Sequence, residues 1–91
     1  MKLIELLRQV HQLDPDLTIY AKAPWCADSE AATAVEPEDV LVPEPLASQG
    51  LSYFLEIHIA RDVVPDLSGL TSLTSLEHWC GRLVRYAMDD A

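Results

Sequence analysis

The chain has 91 residues, 49% of them hydrophobic, and carries fifteen acidic against six basic residues for a net charge of −9. That is the size of one domain, with enough apolar material for a core, so wholesale disorder is excluded. The charge argues against nucleic acid and anionic membranes as partners, because both repel such a surface.

Leu3, Leu6, Leu7, Val10 and Leu13 recur at three- and four-residue spacing, which predicts an amphipathic helix over 2–13. Asp14-Pro15-Asp16 ends it, since a proline disfavours helical geometry at the residue before it. Residues 17–23 alternate strictly and predict a strand. Leu17, Ile19, Ala21 and Ala23 take one face, and Thr18, Tyr20 and Lys22 the other. Ala31 to Val35 reads as a second strand with small side chains, the alternative being a short helix started by Asp28 or Ser29. Residues 36–45 form a proline-bracketed loop with an extended piece at 40–42, and Gly50 marks a turn.

Leu51 to Ala60 alternates over ten residues and predicts the longest strand. Tyr53, Leu55, Ile57 and Ile59 are expected on the core, and Phe54, Glu56, His58 and Ala60 on a partly wet face. Leu67, Leu70, Leu73 and Leu76 resemble one copy of a leucine-rich repeat, but repeat folds need about three copies to bury a continuous core. They read instead as a turn into the last helix, started near residue 74 by a Thr74/Glu77 capping box. Leu76, Cys80, Leu83 and Ala87 form its apolar stripe, with Trp79 at the edge and largely buried. Together these elements predict one α+β domain, with a small antiparallel or mixed sheet of about three strands and the terminal helices packed on one face.

Glu5 and Arg8 break the N-terminal apolar stretch where an export signal needs continuity, and no stretch nears the ~20 apolar residues of a membrane span. Two cysteines are fewer than small secreted domains carry, so Cys26 and Cys80 are expected as free thiols in a reducing, cytoplasmic setting, Cys26 exposed and Cys80 buried.

Catalytic and metal chemistry find little to stand on. His78 and Cys80, two apart on a helix, lie about 200° around it and cannot ligate one ion from one face. There is no Cys-x-x-Cys or His-x-x-x-His pair, and no phosphate loop or nucleotide fingerprint, so neither a metal nor a cofactor is expected. Were the first and third strands paired, Tyr20, Lys22, Glu56 and His58 would make one polar-aromatic patch with Phe54. Such a patch is either a contact surface or the ordinary wet face of a sheet.

Charge distribution is the more specific signal. From Ala23 to Ala60 there is no lysine or arginine, yet Asp28, Glu30, Glu36, Glu38, Asp39, Glu44 and Glu56 are all acidic. Such a block either steers a basic partner or serves solubility. The partner reading assigns Glu36, Glu38, Asp39 and Glu44 to the interface, together with Tyr20, Phe54, Glu56 and His58.

Residues 52–60, Ser-Tyr-Phe-Leu-Glu-Ile-His-Ile-Ala, resemble a group of small uncharacterised bacterial proteins that carry a Tyr-Phe-Leu-Glu strand preceded by a Pro-Trp turn, matched here by Pro24-Trp25. At the level of class, small acidic bacterial proteins of this build also resemble immunity proteins, which block a toxin partner. That resemblance implies a non-enzymatic, protein-binding role. A homo-oligomeric accessory protein, joined through a sheet edge at 31–35 or 17–23, is the alternative, and a small-molecule enzyme the third class.

Overall fold

The computed structural model describes residues 1–90. Along the chain come α1 (Leu3–Arg8), a 3-10 turn (Val10–Gln12), β1 (Thr18–Lys22), β2 (Ala31–Ala34), β3 (Leu51–Glu56), α2 (Ile57–Val63) and α3 (Leu73–Asp90). The three strands form one antiparallel sheet in the order β2-β1-β3, so the fold is α+β, with helices at both ends of the chain.

The first apolar stripe behaves as its spacing requires. Leu3, Leu6, Leu7 and Val10 are all buried in one cluster with Ile19, Ala21, Leu55, Leu76, Cys80, Leu83 and Ala87, which puts α1 and α3 on the same side of the sheet. The α-helix itself is shorter than the 2–13 expected. The Glu5 carboxylate accepts the Lys2 backbone N–H at 3.0 Å and caps the start. Beyond Gln9 the bonds tighten to three-residue spacing, with the Leu13 N–H donating to the Val10 carbonyl, and this turns the chain toward β1. His11 fastens that turn, its Nε2 lying 2.7 Å from the Val64 carbonyl at the end of α2. Because a carbonyl only accepts, Nε2 carries the proton.

β1 is the central strand, so of the two candidate sheet edges only 31–35 is one; residues 17–23 are flanked on both sides. The side of β1 expected to be wet is also not wet. Thr18 and Tyr20 are as buried as Ile19 and Ala21, with Tyr20 at 0% exposure. Tyr20 and Leu51 are buried outside the cluster shared with the helices, and Glu36 of the proline-rich segment 35–50 is near enough for its charge to act on Tyr20. Short-range bonds through 43–50 fold that segment into successive turns, including Leu51 N–H to the Leu46 carbonyl. Gly50 closes them at φ +81°, a left-handed conformation that glycine adopts without a Cβ penalty.

The long strand expected over 51–60 is corrected in two ways. First, it ends at Glu56, and Ile57–Val63 is helical. β3 pairs only with β1, whose last partner is Thr18 opposite Glu56. Beyond Thr18 the chain leads back through Leu17 to Pro15, which has no N–H to give a ladder. The Ile57 N–H makes one last bond to the Leu17 carbonyl, and the chain then meets its own backbone needs as a helix. Ile57, Ala60 and Val64 are buried while His58 and Asp62 are exposed, a helical period. Second, the register shifts between Ile19, opposite Leu55, and Tyr20, opposite Tyr53, which leaves Phe54 as the extra residue of a bulge. Phe54 and Leu55 both enter the helix-side core. Tyr53 sits beside Tyr20 on the other face, their rings edge to face at 6.5 Å, and is 37% exposed.

α3 begins at Leu73, as expected near residue 74, but its cap is Ser72 and not Thr74: the Ser72 hydroxyl accepts the Ser75 N–H at 3.3 Å. Trp79 is half-buried rather than largely buried, with the Arg82 guanidinium 5.6 Å from its ring. Cys26 is exposed, Cys80 buried, and both are free.

The Tyr20 hydroxyl is buried without a hydrogen-bond partner among the described residues. Burial raises its pKa, and the nearby charge of Glu36 adds to the shift. An unsatisfied buried hydroxyl costs about 1–3 kcal/mol. Tyr20→Phe should therefore leave the urea midpoint unchanged or raise it, whereas a clear loss of stability would mean that the hydroxyl is bonded.

Candidate partner-binding surface

Trp25 is placed by its turn. Ser29 organises the 24–29 loop, its hydroxyl accepting the Cys26 N–H at 2.8 Å and donating to the Pro24 carbonyl at 3.2 Å. The same loop is tied to α1 through Leu3 N–H to the Ser29 carbonyl and Ile4 N–H to the Ala27 carbonyl. On this frame the Trp25 indole N–H donates to the Ala21 carbonyl at 3.2 Å, and the ring meets Phe54 edge to face at 4.9 Å. The Ser52 hydroxyl donates to the same Ala21 carbonyl at 3.3 Å.

Beside Trp25 lies a cavity of about 540 Å³, lined by Trp25, Glu36, Leu41, Val42, Ser52 and Tyr53. It is the meeting point of three separate stretches: the Pro-Trp turn, the proline-rich loop and the first half of β3. Glu36 is the one charged residue of its lining. Val35, Val40 and Leu41 are exposed along the same loop, Leu41 at 86%, which is unusual apolar exposure for neighbouring positions.

The six acids of residues 28–44 separate into two groups. Glu36, Glu38, Asp39 and Glu44 are all exposed on the loop around this apolar run, Glu44 also accepting the Ser48 hydroxyl. Asp28 and Glu30 lie at the other end of the loop region and are paired, Asp28 with Lys2 at 3.5 Å and Glu30 with the N-terminal ammonium at 3.0 Å.

The expected patch of Tyr20, Lys22, Phe54, Glu56 and His58 does not form. Tyr20 is enclosed, Phe54 is in the core on the opposite face, and His58 belongs to α2. Glu56 and His58 do meet, at 2.9 Å, across the strand-to-helix junction. Tyr20 and Phe54 therefore have no surface to offer a partner. The aromatic and apolar side chains that do reach the surface beside the acidic loop are Trp25, Leu41 and Tyr53, which the sequence reads as a turn, a loop and a core position. The apolar Val40-Leu41-Val42 run between prolines, with Val40 and Leu41 exposed, is the sequence signal for this surface.

Among the described residues no group of three or more His, Cys, Asp or Glu is placed to hold a metal ion, and no helix is long and apolar enough to cross a membrane. No protein-family model, curated protein or solved structure matches this chain.

Proposed function

We propose that this chain is a non-enzymatic, cytoplasmic protein-binding domain for a basic protein, of the immunity or antitoxin type. The observation that carries the reading is the loop 35–44. It exposes four carboxylates, Glu36, Glu38, Asp39 and Glu44, around exposed Val40 and Leu41, with no lysine or arginine between residues 23 and 60 to neutralise them. Carboxylates steer and orient a basic partner, and the apolar side chains supply the area that water leaves on contact. The likeness to small acidic immunity proteins supports the same reading at the level of class.

The test is affinity capture from the source cell with identification of what is retained. The expected result is one basic protein, held at low salt and released near ~1 M, where the screening length falls to about 3 Å. A variant with Glu36, Glu38, Asp39 and Glu44 neutralised should not retain it. Equal capture by that variant, or capture of nothing, overturns the reading.

A second reading, a homo-oligomeric accessory protein, draws on the position of β2 at the sheet edge. Its first half is occupied, since the Ala31 N–H donates to the Met1 carbonyl and Lys2 bridges to Glu30, but the edge at Thr33–Ala34 leads straight to Val35, 72% exposed. Light scattering at micromolar concentration decides it: a 10 kDa particle is a monomer and removes this reading.

A further inference from the structure

We infer that the cavity bounded by Trp25, Glu36, Leu41, Val42 and Tyr53 receives an arginine side chain from an apolar segment of the basic partner. This rests on the reading of the acidic loop as a partner surface and adds which side chain that surface recognises.

The walls combine aromatic rings and one carboxylate with apolar side chains. The Trp25 ring is already held by its bond to the Ala21 carbonyl and its contact with Phe54, so little side-chain freedom is lost when a ligand packs on it. Tyr53 supplies the second ring, and Glu36 the charge. A guanidinium suits that combination: it is planar and weakly hydrated, it stacks on aromatic faces, and it pairs with a carboxylate through two parallel N–H bonds. A lysine ammonium, compact and strongly hydrated, gains less from the rings. An anionic group is repelled, since nothing basic lines the cavity.

Volume and flanks point to an arginine within a peptide segment. About 540 Å³ is more than one guanidinium and its stem fill, and Leu41 and Val42 give the remainder an apolar wall. Leu41, 86% exposed in the free chain, is the side chain that gains most by being covered. The chain already makes one such contact within itself, Arg82 over Trp79 on α3.

The test is a titration with a blocked pentapeptide, Gly-Leu-Arg-Leu-Gly, followed by NMR of the two indole N–H signals. Saturable, one-to-one movement of the Trp25 signal is expected while Trp79 stays still. Replacing the arginine by citrulline, which keeps the shape and loses the charge, should weaken binding about tenfold, as should Glu36→Gln. Leu41→Ser should weaken it as well. Both substituted positions are exposed, so an unchanged urea midpoint verifies that the variants are folded. Equal binding of the citrulline peptide, or a response confined to Trp79, overturns the inference. So does movement of Trp25 with protein concentration alone, because the occupant is then a second copy. Failure here is separable from failure of the partner reading. If Glu36→Gln and Leu41→Ser still capture the basic protein while neutralising Glu38, Asp39 and Glu44 abolishes capture, the acidic surface stands and the arginine cavity falls.

Discussion

Cys80→Asp is expected to unfold the domain, whereas Cys80→Ala should cost only ~1–2 kcal/mol. Cys80 is 1% exposed and lies within the cluster that joins α3 to Leu3, Leu6 and Leu7 of α1. A carboxylate there has no cation among the buried residues and would be an uncompensated charge, while alanine removes one sulfur atom and leaves a small void. Burial, with the neighbouring charges of Cys26 and Asp28 adding to it, pushes the Cys80 thiol from an ordinary 9.0 up to about 11. The folded state therefore holds this proton more tightly than the unfolded chain does. Its contribution to stability is complete below pH 9 and is lost as pH rises through about 11. Tyr20, also raised, acts in the same direction. The urea midpoint should fall over that alkaline window, and Cys80→Ala should flatten part of the fall. Thiol labelling gives the quickest check. Cys26 should react under native conditions and Cys80 only after denaturant, and equal rates would mean that the α3 face is wrongly placed.

Phe54→Ala should destabilise the domain by about 3–5 kcal/mol, and Tyr53→Ala by roughly 1 kcal/mol. The contrast follows from the bulge. It turns Phe54 into the helix-side core against Trp25 and leaves Tyr53 with one side in solvent. Simple alternation gives the reverse order, with Tyr53 inside and Phe54 outside. Urea unfolding of the two variants separates the two arrangements directly, and a larger loss for Tyr53→Ala would remove the bulge. For a domain of ordinary stability, about 5–15 kcal/mol, the Phe54 variant sits near the limit of folding.

What the residues determined without tertiary help is what short-range periodicity encodes. Leu3, Leu6, Leu7 and Val10 are buried as their spacing requires, and so are Leu76, Cys80, Leu83 and Ala87. Each set is one face of a helix whose 3.6-residue turn is a local property. The small-residue strand at 31–34 and the α+β class were legible on the same ground. Tertiary structure decided the rest because partners distant in the chain set it. Where β3 ends depends on β1 running out at Thr18, with Pro15 beyond it. Which of Tyr53 and Phe54 is inside depends on a one-residue slip against Ile19 and Tyr20. Tyr20 is buried although alternation places it on the polar side of β1. The cavity exists because Trp25, Leu41 and Tyr53, spread over 28 positions, are brought to one place by the fold. A period of 2 or 3.6 tells a side chain which face of its own element it occupies. It does not say what covers that face, and the chain packed over it does.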